Sequence, residues 1–293
     1  MRAKPGEKPK TARSPWPDRL FSFGVTASAA VVVGGCVWIV GDVVWRGMGE
    51  LSVGFLVESP RDAGRAGGIA PILVSTILLL GVALASAIPV ALGAAISLAF
   101  SPDTRVVRAL RRLLDVLAAV PSIIFGLFGN ALFCVALGLR FSILAGGLTL
   151  ACMILPFVTR TMEQALRAVP LEQRLAAASL GMSRLAILRR VILPSALPGM
   201  MAGVVLGIGR AFSETAALLF TAGYSVRFPR GWSDSGRNLS VHLYDLAMNV
   251  PGGNARAYAT GFVLVAVLLI INAGALLLVK RLSFTPPSEQ VLL

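Results

Sequence analysis

Long apolar stretches separated by short charged ones dominate this chain. The run 23–45 holds one charged residue, Asp42, and ends at Trp45-Arg46, an aromatic–basic pair suited to a membrane–water boundary. It outlasts the apolar core of about 7–15 residues in a secretory signal, so it predicts an uncleaved first span. From Ala66 to Pro102 no residue is charged. A spanning helix needs about 20 apolar residues, so this stretch is long for one minimal helix and short for two with a loop. It predicts one long second span over 71–99, with Pro71 in its first turn and a kink at Pro89. Further runs predict a third span over 116–139 and a fourth over 142–158, joined tightly at Leu139-Arg140. The fifth is expected over 196–222 and the sixth over 258–279.

The polar segments complete the division. Residues 1–20 read as a disordered arm and 281–293 as a tail. The first span and an outer loop fill 21–69, and a core of five spans fills 70–280. In the outer segment 223–257, Leu239, Leu243, Leu246 and Ala247 fall at helical spacing, which predicts a short amphipathic helix at the outer interface. No internal repeat is visible.

Composition fixes the class. The chain of 293 residues is 56% hydrophobic and only 14% charged, against roughly 25% charged in soluble domains. It is read as an all-α membrane protein. The net charge of +13 would fit nucleic acid in a soluble protein, but no basic cluster carries interleaved aromatics, and nucleic acid is set aside. With six spans and an inner N-terminus, the inner segments carry 18 Lys/Arg and the outer ones 8, as the positive-inside rule requires with both termini cytoplasmic. Cys36, Cys134 and Cys152 lie in apolar runs with no CxxC and read as small buried hydrophobes; His242 reads as an outer-surface residue. No metal or cofactor is expected.

The inner segment 160–194 carries the first functional signal. It reads as two short helices hinged at Gly181, with Pro170 opening the first and Leu185, Leu188 and Ile192 on one face of the second. Such an element either docks on a partner or is a solvated basic loop. Ala176-Ala177, Gly181 and Val191-x-Leu193-Pro194 resemble the EAA signature of ABC importer permeases, with Leu175 where that signature has Glu and Val191 for Ile. The resemblance implies a type I permease-like bundle whose helix before Gly181 inserts into an ATPase cleft. Asp115 to Asn130 and Glu214 to Ala222 resemble the PstA-type phosphate permeases, which commonly have Pro where Ala217 stands. From this follow the expected partners: a second similar permease chain, two ATP-binding subunits and an external phosphate-binding protein, in a bacterial inner membrane.

The second signal is in the fifth span. Gly199, Gly203 and Gly207 recur every four residues and predict close helix packing. Arg210 and Glu214, at i and i+4, can touch. Either the pair neutralises itself within the bundle, or Arg210 faces a polar path and offers its planar fork to an oxyanion, with Ser213 and Thr215 as nearby hydroxyls. Arg160 is either a second basic contact at the inner mouth or an interfacial arginine; Asp42 and Asp115, near span ends, are expected to stay hydrated. The chain has no GxxxxGK[ST], so ATP hydrolysis would fall to a partner. The rival reading, an ion-coupled carrier, lacks repeated halves and leaves 160–194 unexplained. Phosphonate and sulfate stay open as alternative solutes.

Overall fold

The computed structural model describes the backbone of residues 15–282 and the side chains of 21–277. Most of the predicted arm and nearly all of the predicted tail lie outside the described residues. The chain runs α1 (Pro15–Met48), α2 (Val53–Val57), a hairpin of β1 (Pro60–Arg61) and β2 (Ala66–Gly67), α3 (Ala70–Phe100), α4 (Arg105–Ala119) and α5 (Ser122–Gly129). A π-helical stretch, Asn130–Ala136, continues α5. Then come α6 (Ile143–Arg167), α7 (Leu171–Ser179), α8 (Arg184–Ile187), a π-helical turn (Leu188–Ile192), α9 (Leu193–Phe212), α10 (Ala216–Leu219), α11 (Leu239–Met248) and α12 (Asn254–Leu282). Side-chain caps mark many starts: the oxygens of Ser52, Thr104, Ser142, Ser183 and Asn238 each accept from an amide in the first turn.

Among the described residues five helices are long and apolar enough to cross a membrane. The second span is one long helix as expected, with Pro71 at its start and Pro89 inside it. The third is not the helix predicted over 116–139. Its residues divide between α4 and the Ser122–Ala136 segment, which meet at 99°. Pro121 forces the turn, because the residue before a proline is driven to extended backbone, and Val120 sits at φ −66, ψ 131. The arginines of α4 also bar it from the bilayer interior. The fourth span runs on to Arg167, so the polar segment begins inside a helix. The fifth stops at Phe212, ten residues short of the predicted end.

The centre of the bundle is α6, packed against α3 and α9. Lipid offers little hydrophobic drive between helices, so contact depends on close fit. On α3 the row Leu79, Ala83, Ala87, Ala91, Ala95 is fully buried, and a Cβ on Gly147 of α6 would lie 2.5 Å from Val82 Cβ. The glycines of α9 do what their spacing predicts: Cβ atoms there would lie 2.8 Å from Ala165 (at Gly199), 2.7 Å from Thr161 (Gly203) and 2.8 Å from Val158 (Gly207). On the other flank, α1 packs on α12. Two expectations are corrected here. Leu239 and Leu246 of α11 are wholly buried, so this helix seals the end of the core opposite α7 instead of floating at the interface. Cys36 is exposed on α1, while Cys134 is buried and Cys152 partly so.

Candidate functional site

The site forms where α9 ends. The pairings 199 with 165, 203 with 161 and 207 with 158 run antiparallel, which places Arg210 level with the middle of α6, about 16 Å in from its N-terminal end. There the helix stops. Ser213, Glu214 and Thr215 are unwound between α9 and the single turn of α10. Non-helical backbone at membrane depth is tolerated where protein or a water-filled cavity receives it. Here protein takes part of it: Asn238 Nδ2 and Ser240 Oγ both donate to the Glu214 carbonyl, at 2.8 and 2.5 Å. Ser213 Oγ donates to the Gly209 carbonyl at 2.9 Å.

The break removes the i,i+4 geometry on which an Arg210–Glu214 pair depends. The Glu214 carboxylate instead accepts the Ala217 amide at 3.3 Å, bending back over its own turn. A proline at 217 would have no such donor. Arg210 is half-buried, and among the described residues it has neither a carboxylate within 4.0 Å nor a hydrogen-bond acceptor for its guanidinium. The self-neutralised pair does not form. Arg210, Ser213, Glu214 and Thr215 are brought together around one break, with the cation left over.

Arg160 lies elsewhere in chemistry as well as in place. It stands about 9 Å further along the α6 axis, with Nε and Nη2 donating to Asp115 at 2.8 and 3.3 Å and Nη1 to Glu163 at 2.7 Å. Glu163, only 2% exposed, also accepts from Arg111 at 2.8 Å and Arg167 at 3.1 Å. Arg111 and Arg167 each donate in addition to the Leu98 carbonyl at the end of α3. One carboxylate thus fastens α3, α4 and α6 near the C-terminal end of α6. Sequence reasoning passed over Glu163, although arginines three residues before and four after it carried the signal. Asp115 pairs with Arg160 but its side chain is 55% exposed, so it stays hydrated as expected.

Next to this cluster, α7 ends at Gly181, whose φ is +73. The Met182 amide donates to the Ala177 carbonyl at 3.3 Å and the Gly181 amide to Ala178 at 2.9 Å, the paired bonds of a Schellman cap. Ala177 packs inward, while Ala176 and the large side chains of Leu171, Leu175 and Leu180 are exposed. The chain then re-enters the bundle through α8 and the π-turn directly into α9 at Leu193-Pro194. The second short helix is therefore the foot of the fifth span.

At the opposite end of the bundle His242 is buried, 1% exposed, against the expectation of a surface residue. It faces Arg237 Nη1 at 3.4 Å, and Arg237 pairs with Asp245 at 2.7 Å. Burial, reinforced by the Arg237 charge and only partly opposed by Asp245, pushes the imidazole down to about 4.

Residues 87–284 match the family described as "Binding-protein-dependent transport system inner membrane component". The chain belongs to this family. It is an ABC importer permease subunit, a transport component and not itself an enzyme. The chain is 31% identical over 271 residues to the "Probable ABC transporter permease protein YqgI" of Bacillus subtilis (strain 168), covering 86% of this chain and 91% of that one. It is 33% identical over 245 residues to the "Phosphate transport system permease protein PstA 1" of Mycobacterium tuberculosis (strain ATCC 25618 / H37Rv), covering 82% and 80%. A chain of the bacterial alginate ABC transporter, crystallised with a pentasaccharide-bound periplasmic protein, superposes with a TM-score of 0.67 at 12% identity over 94% of this chain and 99% of that one. That likeness places the permease in the importer bundle fold.

Proposed function

We propose that this permease carries inorganic phosphate, forming half of a pathway completed by a second permease chain and driven by two ATP-binding subunits. The unpaired Arg210 carries the reading. A guanidinium at mid-membrane costs several kcal/mol without a counter-charge, and here none of the described carboxylates neutralises it. A passing oxyanion does, through a bidentate contact of the kind Arg makes with phosphate. Thr215 adds a hydroxyl donor, Ser213 swings its own from the Gly209 carbonyl to the solute, and Glu214 accepts the hydrogen bond of a protonated phosphate oxygen. The PstA relatives support phosphate over other oxyanions.

On the inner side, α7 is the element an ATPase grips. Its exposed Leu171, Leu175 and Leu180 are left uncovered by the described residues, and the Schellman cap at Gly181 makes its end rigid. Leu175 offers an apolar contact where the EAA signature has a carboxylate. Closure of the ATPases pushes α7, and the continuous α8–α9 helix passes the motion to the break at Ser213. An external phosphate-binding protein delivers solute to the outer face, and both termini lie in the cytoplasm, as the 18 to 8 split of Lys/Arg supports.

The experiment is uptake of labelled phosphate, sulfate and phosphonate by the reconstituted four-subunit complex and its Arg210→Ala variant. Phosphate uptake dependent on ATP is expected, with a loss of about a hundredfold on removing a charge-assisted bidentate contact and normal assembly. Uptake that survives in the variant sinks the role of Arg210. Preference for sulfate or phosphonate sinks the assignment of solute.

A further inference from the structure

Between the inner end of α3 and the segment following α7 lies an open cleft of about 620 Å³. Ile96 and Phe100 of α3 form one wall, and Leu188 and Ile192 of the π-turn form the other; Arg174 and Arg184 line it as well. The lining is apolar apart from the two guanidiniums. The Arg174 guanidinium lies 5.4 Å from the Phe100 ring centroid, and its Nη2 donates to the Leu166 carbonyl at 2.7 Å. That contact holds the cation at the cleft without neutralising it. Arg184 is exposed, as are Arg189 and Arg190 on the adjoining turn. None of these four arginines forms an ion pair among the described residues, in contrast to Arg111, Arg160 and Arg167 nearby.

An apolar slot lined by two unneutralised cations selects an amphiphile with an anionic head. A volume of this size holds a small ligand or the upper part of a lipid. The position narrows the source. Phe100 is the last residue of a membrane-spanning helix, so the cleft opens where hydrocarbon gives way to headgroups. The N-terminal arm, with six Lys/Arg in its first 20 residues, has the wrong sign to fill it.

We propose that this cleft binds an anionic phospholipid of the cytoplasmic leaflet, its phosphate at Arg184 and one acyl chain along Ile96, Leu188 and Ile192. The inference rests on the reading above that α7 lies on the cytoplasmic side. A lipid seated there braces the foot of α9 against α3, next to the helix that the ATPase grips.

The test is native mass spectrometry of the full chain released from nanodiscs of equal phosphatidylglycerol and phosphatidylcholine. One phosphatidylglycerol is expected to stay bound in preference to phosphatidylcholine. Arg184→Gln is expected to lower its retention about fivefold, and Arg189→Gln to lower it further, at the scale of one basic residue near an anionic surface. Arg230→Gln, on the outer side, should leave it unchanged. Equal retention of both lipids, or equal retention by wild type and Arg184→Gln, overturns the proposal. So does hydrogen-exchange protection of 184–192 that appears with the ATPase and not with phosphatidylglycerol. None of these readouts needs ATP or phosphate, so failure here leaves the transport reading intact, and failed uptake leaves this result intact.

Discussion

Two groups of arginines in this permease differ in every respect except residue type. Near the C-terminal end of α6, Arg111, Arg160 and Arg167 converge on Glu163, with Asp115 and the Leu98 carbonyl taking further donors. Charges and hydrogen bonds there are matched, and the product is a fastening between three helices. At mid-membrane Arg210 has no acceptor, and the carboxylate four residues on is turned away. A buried network with its donors satisfied is structural in its logic, whereas an unsatisfied cation beside a broken helix is one that awaits a partner. Proximity in sequence to an acid does not distinguish the two; the direction of the carboxylate does.

The comparison breaks first at Glu163. Its replacement by Ala leaves three guanidiniums facing one another around a buried site, and removing one partner of such a network costs about 3–5 kcal/mol. Thermal unfolding of the purified chain in detergent should show the largest loss of any single substitution among these charges. A loss below about 1 kcal/mol would mean that the cluster fastens nothing.

The outer triad of Arg237, Asp245 and His242 sharpens the same point with pH. Folded, His242 stays neutral down to about 4, whereas the unfolded chain takes up a proton below about 6.5. The stability that comes from keeping it neutral is therefore full above about 6.5 and is lost as pH falls toward 4. The total is up to about 3 kcal/mol, since a tenfold change in proton affinity is worth about 1.4 kcal/mol. Unfolding midpoints measured from pH 7.5 to 4.5 should fall in wild type, and the His242→Gln variant should lack that part of the slope.

The smallest effect is expected at Arg160. Its side chain is 27% exposed and shares Glu163 with two other arginines, so Arg160→Gln should cost about 1 kcal/mol and change phosphate uptake by less than about twofold. A loss of uptake comparable to that of Arg210→Ala would move Arg160 from the fastening to the pathway.

Much of this was legible in residue order. The charge-free stretch before Pro102 is one helix, the glycines at 199, 203 and 207 meet α6, and Gly181 caps α7 with the backbone sign that glycine permits. What was not legible depends on where chains turn. The bend at Val120-Pro121 places Arg111 and Asp115 across from α6, over contacts 52 and 45 residues apart in sequence. The break at Ser213 is stabilised by Asn238 and Ser240 at the start of α11, whose helical spacing gives no sign that it packs against the end of α9. For the same reason the i,i+4 rule fails for Arg210 and Glu214, because the helix stops at Phe212, between them. His242 was misplaced since a lone histidine in a Gly/Pro-rich segment carries no sign of burial.

The most direct test is the water accessibility of position 210. In a chain whose three native cysteines are replaced by Ser or Ala, Arg210→Cys is treated with a membrane-impermeant thiol reagent in the assembled complex, beside Thr159→Cys on the fully buried face of α6. The account expects position 210 to label and position 159 to stay unlabelled. Equal silence at both positions, in a complex that assembles and hydrolyses ATP, would show that Arg210 is packed away from any aqueous route and would contradict the account.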